Sequence, residues 1–210
     1  MSNSREISYP TAKTTAKTYN IKTETPNFSN MAKRGMSLES LINTSNEFYL
    51  FQEIACIHKK PTPIQVVNVE YKSRATARIT EAYYTTPSTT DYNGVFNQKH
   101  IDFEAKQTNL SSLPFHNFHK HQIEHMTRVT KQGGICFVII YFVKFDVFYL
   151  IPSTFIVDAY AKSKNEGQRK SISAKIAAEI GYAIELNSFP PIDYLQIIKQ
   201  YYQGGAFVGK

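Results

Sequence analysis

Hydrophobic and charged positions alternate most regularly in the segment IDFEAK, residues 101–106. The apolar positions are Ile101, Phe103 and Ala105, and the charged positions are Asp102, Glu104 and Lys106. A period of two predicts a half-buried strand, with the apolar side chains in the core and the charged ones on the opposite face. Two carboxylates and a lysine crowded onto one strand face are more than a merely structural strand requires.

A hairpin signal precedes this strand. Asn93-Gly94 is a strong two-residue hairpin pattern, and it predicts that the next strand folds back beside the chain that carries Asp91. In that arrangement Asp91 and Glu104 meet at one end of a small sheet.

Other segments carry helical or strand periodicity. Apolar residues at helical spacing predict helices over 36–51, capped by Ser37, and over 115–132, 171–180 and 192–202, with a short helix at 153–160. Continuous apolar runs predict strands over 135–142 and 147–151, and further strands fall within 53–90. The sequence therefore predicts an α/β fold built around a mixed sheet.

Length and composition indicate one globular domain with appendages, since 210 residues with 42% apolar content suffice for a sizeable core. Residues 1–33 are polar, without hydrophobic period, and are interpreted as a flexible basic arm. The folded domain is placed at 34–203, and the Gly-Gly tail, 204–210, is expected to fray. The arm, continued by Arg34, either holds phosphates or is an unselected tail.

The charge balance favours a polyanionic partner such as nucleic acid, because 24 Lys and Arg against 17 Asp and Glu give a net charge of +7. Basic residues concentrate between the apolar runs of 53–90, interleaved with tyrosines. The candidate DNA-binding residues there are Lys59, Lys60, Lys72, Arg74 and Arg78. The alternative is a solvated sheet edge protected by lysines.

Cysteine usage and hydropathy bear on location. Cys56 and Cys136 both lie among apolar residues and are predicted to be buried free thiols in a reducing compartment. The chain shows no signal-peptide pattern and no apolar run of 18 residues. A cytoplasmic protein without a membrane segment is expected.

The spacing D-x12-E-x-K, from Asp91 to Lys106, resembles the PD-(D/E)xK nucleases. Two carboxylates with open coordination positions suit Mg²⁺, which binds oxygen ligands and keeps several waters. A lysine on the same face can stabilise a strained phosphate. The alternative is a solvated strand face with an ion pair.

The helix predicted at 115–132 carries two further candidates. Gln122 falls in its apolar stripe, where an amide needs a partner: a metal-bound water, a site carboxylate or a backbone carbonyl. His121, Glu124 and His125 form a literal H-x-x-E-H, a zinc-hydrolase pattern that lacks an evident third ligand.

Together, several segments resemble the RecU family of Holliday-junction resolvases and cover most of residues 34–150. The resembling segments are RGMSLE at 34–39, IHKKPTPIQVVNV at 57–69, EAYY at 81–84, STTDYNGV at 88–95, IDFEAK at 101–106, HKHQIEHM at 119–126 and GGICFVII at 133–140.

This resemblance implies a restriction-endonuclease-like α/β core with helices flanking the sheet, a protruding β stalk at about 55–85, and a homodimer. It implies Mg²⁺, with Mn²⁺ as a possible substitute, and symmetric cutting of four-way junctions and other branched DNA, with a RecA-type recombinase as a further partner. By motif match, Thr89, Asp91, Glu104 and Gln122 take metal-site positions and Lys106 the transition-state position. Glu39, in the first turn of the helix predicted at 36–51, either favours the helix dipole or orients water or a second ion. The rival interpretation is a non-catalytic module on the same fold that binds DNA or regulates a recombinase.

Overall fold

A six-stranded mixed sheet forms the centre of the protein in the computed structural model, which describes residues 36–71, 73, 76–85 and 89–209. The elements in chain order are α1 (Leu38–Phe51), β1 (Cys56–Lys59), β2 (Ile64–Glu70), β3 (Arg78–Tyr84), β4 (Tyr92–Phe96), β5 (Lys99–Thr108), β6 (Ser112–Pro114), α2 (Lys120–Lys131), β7 (Ile135–Phe142), β8 (Val147–Pro152), α3 (Ser153–Lys162), β9 (Ser171–Ser173), α4 (Ala174–Ile180), β10 (Tyr182–Ile184), α5 (Tyr194–Tyr201), β11 (Tyr202–Gln203) and β12 (Ala206–Phe207). The predicted α/β class is confirmed.

Strand order in the central sheet is β1-β4-β5-β7-β8-β10. β5 and β7 are parallel, and the other neighbours are antiparallel, which makes the sheet mixed as predicted. The crossover from β5 to β7 contains α2, and this helix therefore lies over the strand that carries IDFEAK.

Helices cover both faces of the sheet. One buried cluster joins the sheet to α1 and α5 and includes Leu41, Phe103 and Tyr194. The other joins it to α2, α3 and α4 and includes Met126 and Ile156. β7 lies between the two clusters and is buried along most of its length, as its continuous apolar run predicted.

The start of α1 matches its sequence signal. The Ser37 hydroxyl accepts a 3.2 Å hydrogen bond from the Ser40 backbone N–H, the N-cap interaction expected for serine at that position. This cap fixes where the helix begins and places Glu39 in its first turn.

β2 and β3 form a separate two-stranded antiparallel sheet in which every described residue is exposed. We call these two strands the stalk. The prediction of a stalk over 55–85 was wrong at its start, because β1 pairs with β4 in the central sheet. Ile57, at the middle of β1, is 2% exposed and belongs to the core, which commits the strand to the main domain.

The hairpin between β4 and β5 turns later than predicted. Asn93 and Gly94 lie inside β4, and the turn is Asn97-Gln98, with φ of 47° and 63°. Gly94 instead allows close approach of β1, because a Cβ there would lie 2.1 Å from the Cys56 carbonyl oxygen. The glycine signal was therefore one of strand packing.

Two smaller expectations also need correction. The tail expected to fray forms the β11–β12 hairpin through residue 207, and Phe207 packs against Phe137 and Tyr182 of the core. Cys136 is buried as predicted, whereas Cys56 is exposed on the edge strand.

The predicted arm, 1–33, lies outside the described residues. No described helix is long and apolar enough to cross a membrane.

Candidate active site

An open cleft of about 660 Å³ lies between the root of the stalk, the start of α1 and the start of α2. It is lined by every described residue to which a metal or catalytic role was assigned from the sequence. These are Glu39, Thr89, Asp91, Glu104, Lys106 and Gln122. Residues that are as much as 83 positions apart in the chain (from 39 to 122) therefore share one cavity.

Strand pairing brings the two acidic residues together. Tyr92 of β4 pairs with Phe103 of β5, and one step further along this antiparallel register sets Asp91 opposite Glu104. Asp91 is fixed by its Oδ2, which accepts a 3.2 Å hydrogen bond from the backbone N–H of Ala105.

Glu104 is almost completely buried, and only one of its two carboxylate oxygens has hydrogen-bond partners among the described residues. Its Oε1 accepts from the Lys106 ammonium and from the Gln122 amide, each at 2.7 Å. Its Oε2 is buried and, within the described part of the chain, has no hydrogen-bond partner. Burial raises the pKa of Glu104 to about 7; Lys106 acts against this rise and the nearby Asp91 carboxylate adds to it.

Lys106 completes the charged group on this strand face. Its side chain is 17% exposed, its ammonium pairs with Glu104, and it lies 5.6 Å from the ring centroid of Phe118. These contacts hold the ammonium at the wall of the cleft.

Gln122 faces the protein interior, as its place in the apolar stripe of the helix predicted. Besides donating to Glu104, its amide oxygen accepts a 3.0 Å hydrogen bond from the His119 backbone N–H. Of the three partners considered from sequence, the structure supplies a carboxylate.

Glu39 and Thr89 also line the cleft. Glu39 Oε1 accepts a 2.5 Å hydrogen bond from Lys59, and both side chains are about half exposed, so the pair contributes little to stability. Thr89 Oγ1 donates to the Thr90 carbonyl at 3.4 Å, a long hydrogen bond.

The second acidic residue on β5, Asp102, was placed on the charged face from the sequence but was given no role of its own. Asp102 is 1% exposed, and its carboxylate accepts hydrogen bonds from side chains on three other segments. These are Lys60 (2.8 Å), Thr90 and His125 (3.1 Å). Burial acts to raise the pKa of Asp102, but the hydrogen bonds from these partners lower it below its ordinary value. Its position on the Glu104 face was the one available signal.

The predicted DNA-binding residues divide into three groups. Lys59 and Arg78 are exposed, on β1 and β3. The ammonium of Lys60 is held by Asp102 and is 18% exposed. Arg34, Lys72 and Arg74 lie outside the described residues.

The H-x-x-E-H pattern does not form a metal site. His121 lines the cleft and stacks on His119 with ring centroids 5.4 Å apart, whereas His125 bonds Asp102. Among residues 36–71, 73, 76–85 and 89–209 there is no group of three or more His, Cys, Asp or Glu that could hold a metal. The zinc-hydrolase alternative has no ligand set here.

The cleft does fit a divalent cation that prefers oxygen ligands. Mg²⁺ is commonly bound through one or two carboxylates while keeping several waters, and Asp91 and Glu104 supply that number. The orphaned Glu104 Oε2, buried close to a second carboxylate, is an oxygen whose partner such a cation would provide.

A mixed sheet that presents Asp91, Glu104 and Lys106 in one cleft is the arrangement of the PD-(D/E)xK class of nucleases. The chain belongs to the RecU family: the family model described as "Recombination protein U" matches residues 33–200.

Curated relatives agree with this assignment. "Holliday junction resolvase RecU" of Bacillus cereus (strain B4264) is 50% identical over 183 residues, covering 87% of this chain and 88% of the relative. Proteins of the same name from Streptococcus suis (strain 05ZYH33) and Streptococcus oralis are 48% and 45% identical. They cover 84% and 95% of this chain, and 85% and 98% of their own lengths. A solved structure, Archaeoglobus fulgidus Hjc, is 11% identical and covers 68% of this chain and 94% of its own, with a TM-score of 0.38.

Proposed function

We propose that this protein is a Mg²⁺-dependent endonuclease that resolves Holliday junctions by paired symmetric nicks during recombination and DNA repair. The main observation in support of this proposal is the cleft in which Glu104 lies beside Asp91 and Lys106. One buried oxygen of Glu104 has no hydrogen-bond partner among the described residues. The names of the curated relatives support four-way junctions as the substrate.

Asp91 and Glu104 are the proposed metal ligands, with Thr89 and Gln122 contributing directly or through water. Held there, Mg²⁺, or Mn²⁺ in its place, would supply charge neutralisation at the scissile phosphate and would lower the pKa of an attacking water. The Ala105 N–H orients Asp91, and the Gln122 amide orients Glu104, so neither carboxylate depends on the cation for its position.

Lys106 is assigned to the phosphate. Its ammonium is held at the cleft wall by Glu104 and Phe118, where it can stabilise negative charge that develops on the phosphate oxygens. Glu39, which also lines the cleft, is assigned the orientation of water or of a second ion.

Substrate selection is assigned to the stalk. Its strands are exposed on both faces and carry Arg78, Tyr83 and Tyr84, which supply a phosphate contact and aromatic surfaces for bases. The stalk leaves the domain at the cleft itself, since Pro61, Thr62 and Pro63 line it. A stalk in the open centre of a junction would therefore lie beside the cleavage site.

Paired cuts require two equivalent sites, and a four-way junction has approximate two-fold symmetry. We therefore propose a homodimer, in which the two cleavage sites are related by the junction's own symmetry. We place the protein in the cytoplasm, with a RecA-type recombinase as its partner in recombination.

The test is cleavage of a synthetic four-way junction in Mg²⁺, in Mn²⁺ and in EDTA, with Asp91→Asn as the inactive variant. We expect two symmetric nicks in either metal, none in EDTA and none with the variant. Junction binding by the variant should persist, because most affinity comes from phosphate contacts elsewhere.

Two results would contradict the proposal. Junction binding without cleavage in either metal would identify a non-catalytic DNA-binding module on this fold. Full cleavage by Asp91→Asn in Mg²⁺ would remove Asp91 from the reaction and with it the site assignment.

A further inference from the structure

Lys60 joins the stalk to the cleavage site through both its backbone and its side chain. It directly precedes Pro61, where the chain leaves β1 for the stalk. Its backbone N–H donates a 2.8 Å hydrogen bond to the carbonyl of Asp91, and its ammonium donates to Thr90 at 3.1 Å. The residue that begins the stalk root is thus bonded to the candidate metal ligand and to its neighbour in the chain.

Asp102 anchors this connection from behind the cleft. It accepts from the Lys60 ammonium and the Thr90 hydroxyl, and also from His125 on α2, one turn after Gln122. Asp102 and His125 do not line the cleft, and neither has a part in the proposed chemistry. One fully buried carboxylate therefore links the stalk root, the segment before β4 and α2.

Burying a charge is costly, and replacing a buried ion pair by apolar residues is often neutral or stabilising. Stability alone is therefore a weak explanation for a carboxylate that binds three elements which meet at one site. A role in positioning is a better explanation, because residues that hydrogen-bond behind a metal ligand commonly fix its orientation.

We propose that Asp102 is a positioning residue that fixes the stalk root to Asp91 and to α2. It holds the part of the protein that engages the junction in one rigid relation to the part that cleaves it. This inference rests on the proposed function, and it assigns a role to Asp102, Thr90 and Lys60 that the cleavage chemistry does not require of them.

The experiment removes the connection at two positions, Asp102 and Thr90, which differ in the risk that the substitution prevents folding. Asp102→Asn keeps the side-chain shape but removes the charge. Thr90→Val removes only the hydroxyl at nearly constant volume, and Thr90→Ser restores the hydroxyl, so this pair remains informative if Asp102→Asn fails to fold. Asp158→Asn is the matched control, because it removes an exposed carboxylate that pairs with Lys162 at 2.7 Å.

Each full-length variant is measured in three ways: single-turnover cleavage of a four-way junction in Mg²⁺, affinity for that junction in EDTA, and affinity for Mg²⁺ alone by calorimetry. We expect Asp102→Asn and Thr90→Val to lower the cleavage rate and Mg²⁺ affinity by about 10- to 100-fold, the range seen for partners behind metal ligands. Junction affinity should change less than about threefold, since the phosphate contacts remain. Thr90→Ser and Asp158→Asn should behave as the unmodified protein.

The inference is overturned if the folded variants cleave and bind Mg²⁺ as the unmodified protein does. It is also overturned if rate and junction affinity fall together with the melting temperature, the pattern of a purely structural residue. Asp91→Asn, measured alongside, distinguishes failure of the proposed function from failure of the positioning role. If Asp91→Asn cleaves, the proposed function fails. If Asp91→Asn is inactive and Thr90→Val is fully active, only the positioning role is refuted.

Discussion

Gln122 donates a 2.7 Å hydrogen bond to Glu104 and accepts one of 3.0 Å from the backbone N–H of His119. A single amide therefore satisfies an unpaired N–H at the start of α2 and holds a buried carboxylate in the cleft. The position of the helix and the orientation of Glu104 are fixed by the same side chain.

The first prediction concerns this amide. Gln122→Ala removes one hydrogen bond from the buried Glu104 carboxylate and one from the part-buried His119 N–H, and it should lower the free energy of unfolding by about 1–3 kcal/mol. Gln200→Ala, at an exposed position of α5, is the control and should change it by less than about 0.5 kcal/mol. Urea unfolding measures both. Equal values would mean that the amide is not an essential link between α2 and Glu104.

Gly94 provides a prediction about the sheet edge. A Cβ at this position would lie 2.1 Å from the Cys56 carbonyl oxygen and 2.6 Å from the Ile57 Cα, and backbone atoms cannot move away as a flexible side chain can. Gly94→Ala should therefore destabilise the protein by about 3 kcal/mol or more and loosen β1.

Gly167→Ala is the matched control for Gly94. Its backbone has a φ of +73° and no atom lies within 4 Å of an added Cβ, so the substitution tests backbone strain without a steric clash. It should cost about 1 kcal/mol. Thermal unfolding, with hydrogen exchange of the β1 amides, compares the two variants. If Gly94→Ala costs no more than Gly167→Ala, close approach does not explain the glycine.

The features that were predictable from sequence are those set by local patterns. The alternation of 101–106 placed Glu104 and Lys106 on one face, Ser37 marked the beginning of α1, and the apolar run of β7 indicated a doubly buried strand. In each case the facing pattern or the cap is encoded within a few neighbouring residues. The expectation that the strand at 101–106 is only half buried was wrong, because Asp102 and Glu104 are each 1% exposed and contact His125 and Gln122 of α2.

The features that were missed depend on distant contacts. Asn93-Gly94 matched a turn, but the approach of β1, almost 40 residues earlier, requires that glycine within a strand. Asp102 is separated by 42 residues from Lys60 and by 23 from His125, and neither spacing is a recognisable pattern. The C-terminal hairpin is retained because Phe207 packs against Phe137, a contact that Gly204-Gly205 does not foretell.

The stalk gives a prediction about junction recognition. Arg78→Gln removes an exposed positive charge on β3. Glutamine is chosen because Arg78 pairs with Glu70 across the stalk, and an acidic replacement would place two carboxylates opposite each other. We expect weaker binding to a four-way junction, with the slope of log affinity against log salt reduced by about 1, and a smaller loss on linear duplex. Lys199→Gln, which removes an exposed lysine on α5 outside the stalk and the cleft, is the control and should change neither. Equal losses on junction and duplex for Arg78→Gln would make the stalk a general basic surface.

Glu104 gives a prediction about pH. Burial raises its pKa in the folded protein to about 7 from an ordinary value of 4.5, so the folded state holds this proton more tightly than the unfolded state does. The stabilisation is fully present below about pH 4.5 and is lost as the pH rises towards 7 and the folded group ionises. The difference between the two pKa values corresponds to about 3 kcal/mol, an upper estimate for this residue.

The measurement compares the unmodified protein with Glu104→Gln, which cannot ionise, in EDTA between pH 4.5 and 8. Because the other titrating groups are common to both proteins, the difference in their unfolding free energies isolates Glu104. The unmodified protein should lose stability relative to the variant across that window and change little above pH 7. Adding Mg²⁺ at pH 8 should stabilise the unmodified protein and have little effect on Glu104→Gln, because a cation that binds only the folded state adds to its stability. A constant difference across the pH range would show that Glu104 is already ionised in the folded protein, and stabilisation of both proteins by Mg²⁺ would place the ion elsewhere.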